Sequence, residues 1–441
     1  MKFTIENFGC QMNDHDMERM RAVLIEGGLT YVYDAQEADV VVVNTCCVRE
    51  KAEQKFYSRM GRLRIMKEQR GTILGVTGCI AQLEKKSILK RIPFIDFALG
   101  PSSIHKISKA VGEATKGLPF FDFTENGCGA SLLIKPINAQ GPIKTYVTIM
   151  KGCNNFCSYC VVPYVRGRES SRESTEIIGE IKRLAERGTK EVTLLGQNVN
   201  SYNKNLLDIS FPELLRRIND IDGIERIRFV TSHPKDLSPD LIDCFASLKK
   251  LCEAIHLPFQ SGSDKILALM NRGYTKADYH DKIAALRERC PDIAITADCI
   301  VGFPGEDEKD FLETMGLIEE IQFDNIFSFA YSPRKFTRAA TLPDAIPKGL
   351  AQERLHHFQH VQKSITIAKN RQMEGKRVEV LVEDISKNSK EELMGRTRTN
   401  KIVNFEGTRD MINKLVEVDI VKGYANSLKG ENPKAKGGIP C

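Results

Sequence analysis

Three cysteines stand close together in "IMKGCNNFCSYCVVPYVRGR", residues 149–168, at the spacing C-x3-C-x2-C: Cys153, Cys157 and Cys160. Structural zinc ordinarily takes four protein ligands, and a disulfide framework pairs its cysteines evenly. Three thiolates suit a different group. A cubane iron–sulfur cluster has four irons, so three cysteines leave one iron open, and an open coordination position is what a catalytic metal site keeps. An exogenous molecule would then complete the site; a zinc site or a chance grouping of thiols is the alternative. A second set, Cys10, Cys46 and Cys79, lies in "NFGC", "NTC" and "TGC", each at the end of an apolar run. If those runs are neighbouring parallel strands, about 4.8 Å apart, their ends bring three thiols towards one place. The alternative is three buried, inert thiols, since free cysteine is among the most buried residue types. Cys47 should face the other way and serve packing.

The elements that must carry these residues follow from the hydrophobic pattern. Over residues 1–117, "KFTIENFG", "DVVVVNTC" and "TILGVTGC" read as strands, with "MNDHDMERMRAVLIEGG" and residues 49–70 as helices. That alternation predicts an open α/β sheet with parallel strands, ligands collecting at its C-terminal edge. Residues 118–144, rich in Gly, Pro and Asn, predict a linker. Six strand candidates follow, at 145–150, 191–196, 226–231, 253–258, 295–301 and 325–330, with amphipathic helices such as "STEIIGEIKRLAERG" between them. Residues 145–373 are therefore expected to form a partial (βα)6 barrel, with its chemistry at the C-terminal mouth and a long helix at 348–373 leading out. The cysteine triplet directly follows the first of these strands, hence lies at that mouth. Residues 374–436 hold β-patterned runs with interleaved Lys and Arg and predict a small OB-like β-barrel, with 437–441 as a tail.

Other polar residues fall on the same rim: Gln197 and Asn198 in "LLGQNVNSY", His256, Gln260 and Ser261 in "HLPFQSG", and Gly302, Pro304 and Gly305 in "DCIVGFPGE". They read as pocket lining, or else as strand-end capping and an ordinary turn. Arg166, Arg168 and Arg172 could reach RNA or a carboxylate, or could form salt bridges on the rim. Arg396, Arg398 and Lys401 could meet phosphates, or belong to a solvated β-domain surface.

A chain of 441 residues has room for two or three domains. Its formal net charge of +6 is compatible with a nucleic-acid partner without demanding one. Thirteen cysteines are too sparse for a disulfide scaffold, the longest apolar runs are too short to cross a bilayer, and the opening residues lack a signal-peptide pattern. A cytoplasmic location is expected.

The triplet, with Tyr159 immediately before its last cysteine, resembles the signature of the radical S-adenosylmethionine (SAM) superfamily. That resemblance implies that Cys153, Cys157 and Cys160 hold a 4Fe–4S cluster whose open iron is chelated by SAM. One electron then cleaves the sulfonium and yields a 5′-deoxyadenosyl radical. It further implies SAM contacts at Tyr159, Gln197, Asn198, Gln260, Ser261, Gly302 and Pro304. Two triplets in one chain, followed by a basic β-domain, resemble the methylthiotransferase family over nearly the whole sequence. The family pattern is an N-terminal methylthiotransferase domain, a radical SAM core and a C-terminal RNA-binding TRAM domain. "GCQMN", "NTCCVREKA" and "GCNNFCSYCVVPYVRGRESSR" are most similar to the branch acting on N6-isopentenyladenosine at tRNA position 37. This implies a second 4Fe–4S cluster on Cys10, Cys46 and Cys79, and methylthiolation of adenine C2 at the expense of two SAM molecules. The implied partners are a tRNA anticodon stem-loop, an electron donor and a sulfur-supply system. Such a route suits the chemistry: an aromatic C2–H is too weakly acidic for a side-chain base, and a loop adenosine is readily splayed from its stack. Rival readings are methylthiolation of threonylcarbamoyladenosine in tRNA or of a ribosomal-protein aspartate, and a non-catalytic iron–sulfur RNA-binding protein. The family usually carries a segment like "YSPRPGTPA" after the sixth barrel strand; here residues 331–339 read "YSPRKFTRA", with Lys335, Phe336 and Arg338 as the departures.

Overall fold

In a computed structural model, residues 1–47, 50–124, 142–204, 208–387, 389 and 391–433 are described. The N-terminal unit is a six-stranded parallel sheet. Across it run Thr30–Tyr31, Lys2–Phe8, Val40–Thr45, Ile73–Gly78, Phe97–Leu99 and Phe120–Asp122. Val40, Val41, Val42 and Val43 are fully buried, as β-branched side chains in a strand covered on both faces should be. The last strand lies inside the stretch whose composition predicts a linker; Phe120, Phe121 and Asp122 pair with Phe97, Ala98 and Leu99 instead. Three residues at a sheet edge are too few to show a period, so Gly and Pro nearby dominate the sequence signal. The rest of that linker reading, 125–141, lies outside the described residues.

The central unit carries six parallel strands in two three-stranded sheets. One is Arg226–Phe229, Glu191–Leu195 and Lys144–Thr148; the other is Ala254–His256, Ala294–Val301 and Asn325–Ala330. A parallel bridge between Ile227 and Leu251 joins them, so the strands follow one another in chain order as an incomplete barrel. Its largest core fills the space between the strands and their helices, with Phe211, Phe259, Tyr279, Phe323 and Phe358 all nearly inaccessible. The helix Lys348–Arg371 then leads to a closed five-stranded barrel, Arg377–Ile385, Glu392–Thr397, Ile402–Glu406, Leu428–Glu431 and Leu415–Gly423. The expected α/β organisation with a partial (βα)6 barrel and a small β-barrel is what the chain adopts. No helix among the described residues is long and apolar enough to cross a membrane.

The small barrel docks on the end of the central barrel where its strands begin. Arg226, with its side chain fully buried, donates to Glu379 Oε1 at 2.7 Å and to the Arg396 carbonyl at 2.8 Å. Arg228 donates to the carbonyls of Arg398 and Thr397 at 2.7 and 2.8 Å, and Lys144 meets Glu383 at 2.6 Å. The cysteine loop lies at the opposite end, beyond the strand Lys144–Thr148.

Candidate active site

Register brings the N-terminal cysteines together. Phe8 lies opposite Thr45, and Thr45 opposite Gly78, so three adjacent strands end level. Cys10, Cys46 and Cys79 follow within one or two residues of those ends. Gly78 has φ +92°, and a Cβ there would lie 2.5 Å from the Thr45 carbonyl oxygen, so only glycine lets the chain turn into the next helix. Cys10 is the N-cap of the helix Gln11–Glu26, and Cys79 is the first residue of Cys79–Glu84. Asn13 ties the ends together: its Nδ2 donates to the Thr45 carbonyl at 3.0 Å, while Asn44 Nδ2 donates to the Asn13 carbonyl at 2.8 Å.

Two of the thiols here are easily ionised. The Cys10 thiol is pulled down to about 6, chiefly by a hydrogen bond with Cys46 and also by the charge of Arg166. That of Cys79 is pulled down to about 7, chiefly by a hydrogen bond with Cys47 and also by Arg166. Cys47 is 1% exposed and packs in the core as expected, yet its thiol also reaches Cys79. Arg166 is the surprise. It comes from the central unit, at the end of the helix Val162–Arg166 that begins two residues after Cys160. Its side chain, 5% exposed, pairs with Asp16 at 3.0 Å and hydrogen-bonds Cys79. Val161 and Val165 of the same segment are buried in the N-terminal core. Arg166 therefore cannot meet RNA; it is an internal cation of the N-terminal cysteine site.

At the central mouth, Cys153, Cys157 and Cys160 lie on a loop held by short-range contacts. The Cys160 amide donates to the Cys157 carbonyl at 2.9 Å and the Cys153 amide to the Gly167 carbonyl at 3.2 Å. Gln197 accepts from the Gly152 amide, so it anchors the loop's first turn. Burial pushes the Cys153 thiol up to about 11 and that of Cys160 to about 12, so loading a metal here must release protons. Two residues that the sequence did not single out converge on Cys157. Arg272, 4% exposed, donates from Nη1 to its Sγ at 3.3 Å. His233 Nε2 lies 4.0 Å from the same sulfur. Burial pushes this imidazole down to about 2, and its Nδ1 accepts the Lys235 amide at 3.2 Å, which leaves the proton on Nε2, facing the sulfur. His233 follows the third barrel strand, so the strand-end rule that selected Gln197 and Gln260 would have found it; Arg272 carries no such signal.

The remaining rim residues divide. Tyr159 is packed beside Phe303, Met270 and Ala339, with its hydroxyl 3.4 Å from Arg272 Nη1. Asn198 is 1% exposed and donates to Asp236 at 2.7 Å, while its Oδ1 has no hydrogen-bond partner among the described residues. Gln260 sits at φ +70° and its Oε1 is likewise buried without a partner among the described residues. Ser261 accepts from the Ser263 amide at 3.2 Å. Gly302, at φ +71°, and buried Pro304 form the turn that Glu306 closes by accepting the Gly302 amide at 2.9 Å. Two orphaned buried acceptors and an aimed guanidinium beside three cysteines fit a polar cofactor seated on a metal cluster. Among the described residues no three His, Cys, Asp or Glu side chains close on a single point as a mononuclear site would, whereas a cubane spreads its ligands over several irons.

Most of the basic residues expected at RNA serve elsewhere. Arg172 donates to the Thr148 carbonyl at 2.8 Å and pairs with Glu180 at 2.7 Å. Arg396 pairs with Glu383 at 3.3 Å, Arg398 with Glu253 at 2.8 Å and Lys401 with Asp324 at 2.9 Å. The first pair lies within the small barrel, and the other two pin that barrel to the strand-start end of the central barrel, away from the cysteines. Arg168 alone remains exposed near the mouth, its guanidinium 4.2 Å from the centre of the Phe156 ring. Arg398→Ala should therefore cost docking, about 1 kcal/mol of stability for a pair whose side chains are 26% and 30% exposed. The slope of log affinity against log salt for an RNA stem-loop should stay unchanged. A phosphate contact would lower that slope by about one.

The departing loop is an interdomain contact as well. Arg334 and Lys335 reach Glu53 and Glu84 of the N-terminal unit at 3.3 and 2.6 Å, Phe336 lies 6.5 Å from the ring of Tyr164, and the Ala339 amide donates to the Ser158 carbonyl at 2.7 Å.

Comparison with known proteins agrees with this architecture. Residues 2–100 match the "Uncharacterized protein family UPF0004", residues 147–318 the "Radical SAM superfamily" and residues 371–432 the "TRAM domain". The fold is shared with a radical SAM methyltransferase, TsrM, from Kitasatospora setae, at a TM-score of 0.55 and 12% identity over 77% of this chain and 74% of that one. Barrel, cysteine loop and matched domain together define a radical SAM enzyme with an appended TRAM domain. Proteins named tRNA-2-methylthio-N(6)-dimethylallyladenosine synthase are similar along the whole length. One from Syntrophus aciditrophicus is 51% identical over 97% of this chain and 93% of its own. Another from Geobacter metallireducens is 52% identical over 97% of each. The chain belongs to the tRNA-2-methylthio-N(6)-dimethylallyladenosine synthase family.

Proposed function

We propose that this chain methylthiolates C2 of N6-isopentenyladenosine at position 37 of tRNA, using two SAM molecules and two 4Fe–4S clusters. The observation that carries the reading is the pair of three-cysteine sites joined by one short helix, Val162–Arg166, which leaves Cys160 and ends with Arg166 on Cys79. When bound, the central cluster with SAM supplies a hydrogen-abstracting radical, and the N-terminal cluster supplies the sulfur. Cys153, Cys157 and Cys160 hold the first and Cys10, Cys46 and Cys79 the second. Asn198 Oδ1 and Gln260 Oε1 are acceptors suited to the amino and ribose groups of SAM, and Gly302 with Pro304 shapes the turn beside them. Gln197 holds the cysteine loop rather than the cofactor. The relatives' shared name favours the isopentenyl substrate over threonylcarbamoyladenosine or an aspartate, and a radical SAM core disfavours a purely structural role. A low-potential electron donor and a sulfur source are required partners, and tRNA as substrate puts the reaction in the cytoplasm.

The substrate base has a suitable wall. In Asn325–Ala330, Ile326 is buried while Phe327 and Phe329 are 45% and 36% exposed. Phe327 lies opposite Asp298 and 6.1 Å from the ring of His256, which is 3.5 Å from Asp298. Aromatic rings beside a polar pair suit an isoprenoid-bearing purine, and stacking of a base on one ring is worth about 1–3 kcal/mol. Phe327→Ala should weaken binding of an isopentenylated stem-loop about tenfold and leave iron content unchanged, as filter binding and iron assay would show. The function itself is tested by nucleoside mass spectrometry of tRNA from a strain lacking its own enzyme and complemented with this chain. The 2-methylthio derivative should reappear; unmodified isopentenyladenosine alone would refute the reading.

A further inference from the structure

We infer that Arg272 is the counter-cation of the central cluster and that its charge raises the potential at which the cluster accepts an electron. The inference rests on the proposed ligand role of Cys153, Cys157 and Cys160.

Arg272 is nearly inaccessible, and its partners are two tyrosine hydroxyls, one carbonyl and the sulfur of Cys157. Its Nε donates to the Tyr274 hydroxyl at 3.0 Å, Nη2 to the Pro258 carbonyl at 2.8 Å, and Nη1 lies 3.4 Å from the Tyr159 hydroxyl and 3.3 Å from Cys157 Sγ. Among the described residues no carboxylate pairs with it. Four other arginines with buried side chains differ: Arg166 meets Asp16, Arg226 meets Glu379, Arg228 meets Glu191 and Arg354 meets Glu306. A buried guanidinium without an anion is strongly unfavourable, so in the working protein an anion must stand beside it. Among the described residues the cysteine site is the one that offers it. A cubane core in its oxidised state carries two positive charges and three thiolates carry three negative ones, so the assembly is anionic by one charge.

Reduction makes it anionic by two. One electron enters from a low-potential one-electron donor, the core falls by one charge, and no bond breaks in that step. A fixed cation at one ligand sulfur favours the more negative state, and so does the His233 Nε2–H facing the same sulfur. Both act on the equilibrium of reduction, as hydrogen bonds to cluster sulfurs do in general. Arg272 also links Tyr159, next to Cys160, to the Pro258 carbonyl beyond the fourth barrel strand, so it is placed by neutral groups that leave its charge unspent.

The test uses the full chain with Cys10, Cys46 and Cys79 all replaced by Ala, so that only the central cluster loads. After anaerobic reconstitution, a dithionite titration followed by electron paramagnetic resonance gives the midpoint potential for the parent and for Arg272→Met, Arg272→Gln and Arg272→Lys. The neutral variants should load iron and be reduced with an equilibrium constant at least tenfold smaller, about 59 mV more negative for a one-electron couple. Arg272→Lys should recover most of the difference. Neutral variants with the parental midpoint would overturn the inference. Loading by the Lys variant but by neither neutral one would support it, since charge alone would then decide; failure of all three would mark Arg272 as structural and overturn it. A parent that loads no iron would instead sink the ligand assignment beneath it.

Discussion

Cys157→Ala is expected to abolish 5′-deoxyadenosine formation, a loss of at least about 10³-fold in rate for an activated, cofactor-dependent step. Cys157 is buried, and it is the one cysteine of its triplet with both Arg272 and His233 on its sulfur. Alanine there removes one of three protein anchors and leaves the Arg272 charge facing a cavity, so the cluster and its SAM site go together. The N-terminal site should survive, because its thiols are placed by sheet register and by Asn13, neither of which involves the Cys157 loop. Reconstituted protein should therefore fall from about eight irons to about four. Retention of 5′-deoxyadenosine formation would show that the loop does not carry the radical chemistry.

The mirror experiment separates the other role. Cys79→Ala, made together with Cys47→Ser so that the neighbouring thiol cannot stand in, should also halve the iron to about four per chain. Here 5′-deoxyadenosine formation should persist while the methylthiolated nucleoside disappears. The physical reason is the position of Cys79 at the start of its helix, against Arg166 and level with the ends of three strands. Removing its thiolate leaves Arg166 its ion pair with Asp16 and its attraction to the Cys10 thiol, both within the N-terminal unit and its bridging helix. The domain contact should thus hold, and a loss of 5′-deoxyadenosine formation as well would mean that the two sites cannot be separated.

The features legible in the sequence are those set by local periodicity and by strand ends. Four consecutive valines before "NTC" announce a buried parallel strand, and parallel register does the rest, because neighbouring strands of similar length end level and deliver Cys10, Cys46 and Cys79 to one edge. The same rule placed the second triplet at a barrel mouth. What stayed illegible is where long charged side chains go. Arg166 reads as a rim arginine beside a cluster motif, and nothing local says that its short helix enters another domain's core. Arg396, Arg398 and Lys401 read as a basic strand; Arg396 meets Glu383 of the neighbouring strand in its own barrel, whereas Arg398 and Lys401 meet Glu253 and Asp324 of the central unit, which only docking selects. The departing loop behaves alike: Lys335 and Phe336 look anomalous against the family pattern, but Glu84 and Tyr164 on the facing surfaces give each a partner.

Iron and sulfide analysis with Mössbauer spectroscopy on the anaerobically reconstituted full chain addresses most directly whether two cubanes are each left one protein ligand short. About eight irons per chain are expected, in two cubanes, with SAM altering the signal of a single iron in one and a thiolate ligand altering a single iron in the other. Four irons or fewer, a mononuclear metal at either triplet, or cubanes whose irons all ignore added ligands would contradict it.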